Sequence, residues 1–218
     1  MSISSNIEHA IIGEDTHVQS QFIAEFGKDI PAFVSAMTTA YKRWEILDHN
    51  PSENADKAHL SAFVYMAINH HIQAQRLFFS GLHVPSGHME RQVIEAIAMA
   101  LLSSDKTLPY LSHFMSEKYS TSKAIGHIAK QRNRLGISAE FVTTLRKTYD
   151  FYGKYSHLTL ITLAHSLQTH NGKPTIAFGP TFDRGILHLY KQEMRRRVSL
   201  AVLFPDIVKL VQTKWEST

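Results

Sequence analysis

The sequence contains no cysteine. This absence excludes disulfide bonds, thiolate zinc sites and a cysteine nucleophile, and it is typical of a reducing compartment. Long apolar runs are missing too: the longest, 62–68 and 96–102, have seven residues each, whereas a membrane span needs about 20. The N-terminus has no basic region followed by an apolar run, so no secretory signal is predicted. We therefore expect a cytoplasmic protein that does not enter the membrane.

Several catalytic motifs are also absent. The chain has no glycine-rich phosphate loop, no dinucleotide fingerprint and no Gly-x-Ser-x-Gly elbow. None of its 14 histidines lies three or four positions from another, the spacing typical of metal ligands on a helix. The sequence therefore predicts no metal and no cofactor. A metal site assembled from the distant residues His70, His83 and His88 is the alternative.

Apolar residues recur at helical spacing along most of the chain, and glycine and proline lie mostly between these segments. We predict one all-α domain over residues 1–218, a multi-helix bundle preceded by an arm over residues 1–18. Two segments apolar on nearly every side are predicted to be buried central helices. The predicted helices cover about 18–28, 31–47, 53–79, 89–103, 107–119, 120–134, 155–168 and 183–203, with another from Ser138 and a short one opened by Pro205. Asn171-Gly172 is compatible with a small β-hairpin or flap near residues 168–178.

Charge is distributed unevenly. Residues 1–117 carry 7 Lys and Arg against 13 Asp and Glu, whereas residues 118–218 carry 16 against 6. In the last predicted helix, Arg184, His188, Lys191 and Arg195 follow one another at steps of four, three and four, which places them on one basic face. These residues are the candidate nucleic-acid contacts, because such a face can bind phosphates. A solvated face with no ligand is the simpler interpretation.

Arg91 and Glu95 form the most suggestive charged pair. They are four positions apart, so they share one face of a helix that is otherwise nearly all apolar. The pair is either an internal clamp or part of a lined cavity, because buried charges need partners. Arg91, Glu95 and His157 are the candidate catalytic residues. Tyr155 and Ser156 join Arg91 and Glu95 as candidate ligand-binding residues.

Those motifs carry a resemblance. Arg91-x-x-x-Glu95, Tyr155-Ser156-His157 and the closing Gly179-Pro180 resemble a group of uncharacterised bacterial all-helical proteins of unknown function, over about residues 85–183. The resemblance implies an α-helical fold and a bacterial source, and no established activity.

A second comparison is with the higher-eukaryote-and-prokaryote nucleotide-binding (HEPN) superfamily, whose ribonucleases carry Arg, four to six residues, then His. Arg43 to His49 and Arg76 to His83 fit this spacing. Neither arginine is followed by the polar residue usual in that superfamily, and two matches are what chance supplies. A distant HEPN-like fold stays open.

We expect first a helical protein without catalytic activity that binds a protein partner or assembles with itself. An RNA-acting enzyme of HEPN type, or a nucleic-acid-binding domain, is the alternative, with the basic C-terminal half holding the nucleic acid. The third interpretation is an anionic small ligand bound between the two buried helices and gripped by Arg91.

Overall fold

The computed structural model describes residue 7 and residues 16–49, 54–157, 159–164, 167–170, 173–176 and 179–218, with only the backbone for 167–170 and 173–176. Its helices confirm the all-α class. They are α1 (Thr16–Phe26), α2 (Ile30–Leu47), α3 (Ala55–Phe79), α4 (His83–Ser103), α5 (Tyr110–Met115), α6 (Ala124–Gln131), α7 (Ala139–Gly153), α8 (Leu160–Ala164) and α9 (Leu187–Glu216). Two short strands, β1 (Leu167–His170) and β2 (Lys173–Ile176), pair antiparallel with Leu167 opposite Ile176. None of the helices in the described part of the chain is long and apolar enough to cross a bilayer.

Local sequence explains where several helices begin. The side chain of Asn54 accepts a hydrogen bond from Lys57 N and caps α3. The side chain of Ser138 does the same for Phe141 N at the start of α7, as its position predicted. Pro31 lies in the first turn of α2, where its missing N–H group has no intrahelical partner to lose.

The core forms around α4, which packs along α3 and also contacts α5, α6, α7 and α9. Val93, Ile94, Ile97 and Leu101 of α4 are almost fully buried, so its prediction as a central helix is confirmed. Helix α3 is less enclosed than predicted, because Tyr65 and Met66 within its apolar stretch are about two-fifths exposed. One side of α3 therefore reaches solvent, although its sequence there carries no polar stripe.

A second, smaller cluster joins the N-terminal part of the chain to the start of α9. It is made of aromatic side chains from α1, the end of α3 and α9 together with a methionine: Phe22, Phe26, Phe78, Phe79, Tyr190 and Met194. The turn between α3 and α4 lies at its edge. Gly81 has a positive φ of 73° there, and an added Cβ would lie 2.8 Å from the Thr181 carbonyl oxygen, so only glycine fits that turn.

The prediction that Pro205 opens a separate helix is wrong. Residues Leu187–Glu216 form one continuous helix with Pro205 inside it. A proline within a helix removes one intrahelical hydrogen bond. Here Ala201, Phe204 and Val208 are buried around it, and Arg43 Nη1 donates to the Pro205 carbonyl oxygen. The packing of α9 against α2 therefore overrides the local preference of proline to end a helix.

The segment between α7 and α9 also differs from its prediction. We expected an apolar helix over residues 155–168, but only Leu160–Ala164 is helical in the described part of that segment. Leu160 is 84% exposed and Leu163 is 50% exposed. Their apolar side chains do not enter the core, so hydrophobicity alone overestimated this helix. Helix α4, in contrast, begins six residues earlier than predicted and takes Pro85 into its first turn.

Candidate functional site

A buried ionic cluster lies where α4 meets α9. Arg197 is 1% exposed, and it lies between Glu90 of α4 and Glu193 of α9, which are 0% and 8% exposed. Arg197 Nη1 is 3.0 Å from Glu90 Oε1, and Arg197 Nη2 is 2.9 Å from Glu193 Oε1. Arg197 Nε also donates to Glu193 Oε1 at 3.0 Å. Two carboxylates thus surround one guanidinium away from water.

Hydroxyl groups complete this cluster. Arg197 Nη2 donates to Ser86 Oγ at 2.8 Å, and Ser86 in turn donates to the Ala74 carbonyl oxygen of α3. The Tyr152 hydroxyl donates to Glu193 Oε1 at 2.9 Å, which ties the end of α7 to α9. Four helices are therefore linked through the surroundings of one buried arginine.

His71 adds a proton to the cluster. Its Nδ1 lies 2.9 and 3.0 Å from the two oxygens of Glu90, and its Nε2 lies 3.1 Å from the Arg197 carbonyl oxygen. A carbonyl oxygen and an ionised carboxylate can both accept hydrogen bonds, and neither can donate one. Both ring nitrogens therefore carry protons, or Glu90 carries one of them. In either arrangement the cluster has no net charge. The positive charges of Arg197 and of the proton shared by His71 and Glu90 balance the negative charges of the two carboxylates.

The electrostatics keep Arg197 and Tyr152 protonated. Burial alone would lower the pKa of Arg197, but the charges of Glu90 and Glu193 outweigh it and raise that pKa. Burial raises the pKa of the Tyr152 hydroxyl well above its usual value, and the neighbouring Glu193 raises it further. Both groups are hydrogen-bond donors at any physiological pH.

A pocket of about 240 Å³ opens above this cluster. It lies between the ends of α3 and α7, the start of α4, the short helix α8 and the first half of α9. Apolar and aromatic side chains form most of its wall, and the polar groups that reach it belong to the segment from Asp183 to Arg197 and to His83 and Tyr155. The lining residues are Phe78, His83, Phe151, Tyr155, Ile161, Ala164, Asp183, Ile186, Leu189, Tyr190, Gln192, Glu193, Arg196 and Arg197.

Glu193 lines the pocket and has one carboxylate oxygen without a hydrogen bond. Its Oε1 accepts three hydrogen bonds, from Arg197 Nε, Arg197 Nη2 and the Tyr152 hydroxyl. Its Oε2 is buried and has no hydrogen-bond donor among the described residues. Arg196 Nη1 makes only an ion-pair contact with it at 3.5 Å, while the Arg196 guanidinium lies 4.0 Å from the centre of the Phe151 ring. A buried carboxylate oxygen without a donor is a polar group that a ligand can satisfy.

The tyrosines of the wall are held in place. The ring of Tyr155 lies against Gly87 of α4, where an added Cβ would be 2.4 Å from Tyr155 Cγ. The Tyr190 hydroxyl accepts a hydrogen bond from Asp183 N at 3.3 Å. Burial raises the pKa of Tyr190 to about 12, so its hydroxyl keeps a proton to donate. The pocket therefore has a rigid aromatic wall.

Arg91 and Glu95 form a separate clamp on α4, on the side that faces α7 and the turn before α6. Arg91 Nε lies 3.2 Å from Glu95 Oε1, and Arg91 Nη2 donates to the Tyr149 hydroxyl at 2.8 Å. The Thr121 hydroxyl donates to Glu95 Oε2 at 2.8 Å. Burial alone would lower the pKa of Arg91, but Glu95 and Tyr149 outweigh it and raise that pKa. The pair thus joins α4 to α7 and to the turn before α6.

The structure separates the other candidate site residues from this clamp. His157 is exposed, and within the described residues its side chain has no hydrogen bond to Arg91 or Glu95. Ser156 Oγ lies 3.3 Å from His88 Nδ1, and Tyr155 lines the pocket of about 240 Å³. Tyr155 is therefore the one of these candidates that reaches the cavity.

The basic face predicted on the last helix is exposed. Arg184, His188, Lys191 and Arg195 all reach solvent. Lys191 Nζ lies 2.8 Å from Glu25 Oε1 of α1, and the hydrogen bond and positive charge of Lys191 lower the pKa of that carboxyl group. Part of the positive charge is thus neutralised within the chain.

The histidine combinations raised by the sequence occupy different environments. His83 stacks on Tyr190 with ring centroids 4.8 Å apart, His70 lines a groove with Glu95, and His88 contacts Ser156. Across the described ranges, no three His, Asp or Glu side chains are grouped as metal ligands. Of the HEPN-spaced pairs, Arg43 is engaged by Pro205 and Asp206.

Sequence reasoning missed the cluster around Arg197. Arg197 stands in the run Arg195-Arg196-Arg197, which reads as part of the basic face. One signal could have found it. Position 197 falls on the same side of the helix as Tyr190, Met194 and Ala201, which are all buried, and Glu193 precedes it by one turn.

Comparison with known proteins gives this chain no relative. No family model, no curated protein and no solved structure matches it. Function has therefore to be argued from the site.

Proposed function

We propose that this protein binds a small molecule in the pocket bounded by α7, α8 and α9. The observation that carries the proposal is Glu193 Oε2, a buried acceptor without a donor beside an apolar cavity. Small-molecule sites are typically concave, mostly apolar and supplied with a few placed polar groups. The pocket differs from the one expected between the two buried helices, since its polar floor is Glu193 and Arg197 rather than Arg91.

The rigidity of the floor supports binding. Arg197 and Glu193 are fixed by the hydrogen bonds of Ser86, Tyr152 and Glu90, so a ligand does not have to order them. A preorganised site loses less conformational entropy on binding than a mobile one. The network thus has a structural role in joining the helices and a second role in fixing the Glu193 carboxylate beside the cavity.

A thermal-shift screen tests the proposal. A panel of small cyclic compounds of positive, neutral and negative charge is added to the wild-type chain, to Ile161→Trp, which fills the pocket, and to Leu163→Trp. Leu163 is on the same short helix, is half exposed and does not line the cavity, so it is the matched control. At about 100 times its Kd, a ligand adds about 2.7 kcal/mol to the free energy of unfolding, which raises Tm by roughly 5–10 °C in a chain of this size.

The expected result is a shift in the wild type and in Leu163→Trp that is lost in Ile161→Trp. If no compound of any charge shifts Tm, or if the shift survives in Ile161→Trp, the pocket is not the binding site.

The partner-binding and RNA-directed roles expected from the sequence stay predictions. The exposed residues Arg184, Lys191 and Arg195 support an electrostatic contact, while the pairing of Lys191 with Glu25 weakens it.

A further inference from the structure

We infer that the ligand is a small aromatic amine bound as its ammonium form, with its N–H groups directed at Glu193 Oε2; this inference rests on the proposed function. Four features of the pocket support it: the volume of the cavity, the aromatic character of its wall, the hydrogen bonds that already engage Arg197, and the position of Arg196.

The volume of the cavity suits one ring with a short substituent. The cavity measures about 240 Å³, and an apolar cavity of about 150 Å³ is known to hold benzene. A ring bearing an aminomethyl or aminoethyl group therefore fits within this volume.

The wall suits a ring and a positive charge. Phe78, Phe151, Tyr155 and Tyr190 contribute aromatic surface. Aromatic pairs prefer edge-to-face or offset packing, which these differently oriented rings offer to a ligand ring. The faces of aromatic side chains also attract ammonium groups.

The buried arginine is not available to an anion. Arg197 directs Nε, Nη1 and Nη2 at Glu193, Glu90 and Ser86. An anionic ligand would have to displace one of these carboxylates or lie beside them, where like charges repel. The oxygen without a hydrogen bond is Glu193 Oε2. It is an acceptor, so the complementary ligand group is a donor.

Arg196 occupies the place that the ligand amine would take. Its side chain is 42% exposed, lies 3.5 Å from Glu193 Oε2 and makes no hydrogen bond with that oxygen. Its contact with Glu193 Oε2 lacks hydrogen-bond geometry and nearly half of its side chain already reaches solvent, so a ligand can displace it. An ammonium group inside the cavity then forms the hydrogen bond that Arg196 does not form.

Three probes of matched shape separate the ligand classes: benzylamine, benzyl alcohol and benzoate, titrated calorimetrically at neutral pH into the wild-type chain. Benzylamine is expected to bind about tenfold more tightly than benzyl alcohol, because a hydrogen bond between charged groups is stronger than one with a neutral donor. Benzoate is expected to bind more weakly than either. If benzyl alcohol or benzoate binds as tightly as benzylamine, the ammonium inference is overturned while the pocket proposal stands. If none of the panel compounds binds, both fail.

A charge variant gives an independent test. Arg196→Met retains an apolar side chain against Phe151 and removes the cation that competes for Glu193 Oε2. It should bind benzylamine about three- to tenfold more tightly and leave benzyl alcohol unchanged. Arg195→Met is the matched control, since Arg195 is an adjacent exposed arginine that does not line the pocket. Equal effects of the two variants would indicate a general field of the basic helix and would overturn the contact with Glu193.

Discussion

Two arginine–glutamate clusters join the helices of this protein, and they differ chiefly in burial. Arg91 and Glu95, and likewise Glu193 and Arg197, are four residues apart on a helix. The side chains of Arg91 and Glu95 are 19% and 21% exposed. Arg197 is 1% exposed and has a second carboxylate, Glu90, that is fully buried. The same spacing thus produces a clamp near the surface and an ionic centre within the core.

From this difference we expect burial, rather than pairing alone, to decide how much a charged side chain contributes to the free energy of unfolding. Removing one member of an exposed or half-exposed pair leaves a group that water can solvate. Removing one member of a buried cluster leaves a charge that nothing solvates. The two clusters should therefore respond differently to the same substitution.

The largest effect is expected for Arg197→Met. This change leaves Glu90 and Glu193 without their shared cation inside the core, so the free energy of unfolding should fall by about 3–5 kcal/mol. Urea unfolding followed by circular dichroism measures the loss.

A second substitution separates charge from packing. Adding Glu193→Gln to Arg197→Met removes the negative charge that Arg197 no longer balances, since the proton shared by His71 and Glu90 balances Glu90. Part of the lost stability should therefore return. If the double variant is as unstable as the sum of the two single changes, the loss is due to a cavity and not to an uncompensated charge.

A smaller effect is expected at a third ionic cluster, which is centred on a carboxylate. Asp105 is 1% exposed and is reached by Arg134 Nε at 2.8 Å and Lys214 Nζ at 3.3 Å. Burial alone would raise the pKa of Asp105, but hydrogen bonds from Thr107 and Arg134 outweigh it and hold that pKa well below its usual range. Asp105→Asn should lower the free energy of unfolding by about 2 kcal/mol at pH 7, less than Arg197→Met, because Arg134 is partly solvated.

The stability difference between the wild type and Asp105→Asn should depend on pH. In the unfolded chain an Asp side chain has a pKa of about 3.9, so below about pH 4 the unfolded wild type takes up a proton that the folded protein does not. The stabilisation from Asp105 is complete above that pH and declines as the pH falls. The difference in the free energy of unfolding between the wild type and Asp105→Asn should therefore become smaller below about pH 4. Asp206→Asn, at an exposed carboxylate paired with Arg43, is the control and should change the free energy of unfolding at pH 7 by less than about 1 kcal/mol.

Much of the fold could be predicted from periodicity, and its failures have physical causes. The apolar spacing of α2, α3 and α7, together with Pro31 in the first turn of α2 and Ser138 at the start of α7, consists of local signals, so the sequence indicated these helices. Pro205 misled the prediction because its cost is local, whereas the burial of Ala201 and Phe204 that offsets it depends on the packing of α9. The segment 155–168 misled it in the opposite sense, since the apolar side chains of Leu160 and Leu163 are exposed instead of packing into the core.

The site was harder to predict, because the spacing of residues in the sequence does not determine which charged side chains are buried. Arg91 and Glu95 attracted attention since their helix is otherwise apolar, and the structure does bring them into contact. Arg197 was hidden by its neighbours Arg195 and Arg196, both of which are exposed. Three consecutive arginines point in three directions from a helix, and only the packing of α9 on α4 determines which of them is buried.

The smallest effect, and the sharpest test of the comparison, is expected for Arg91→Met. Both Arg91 and Glu95 are about one-fifth exposed, so water can solvate the carboxylate that remains. The free energy of unfolding should fall by about 1 kcal/mol, mostly through loss of the hydrogen bond to Tyr149. A double-mutant cycle with Glu95→Gln should give a coupling of about 0.5–1 kcal/mol. That coupling should shrink in 1 M NaCl, because salt screens pairs within reach of solvent, whereas the loss in Arg197→Met should not change. A coupling at Arg91 that resists salt, or a loss as large as that of Arg197→Met, would show that the two clusters are equivalent and that burial does not distinguish them.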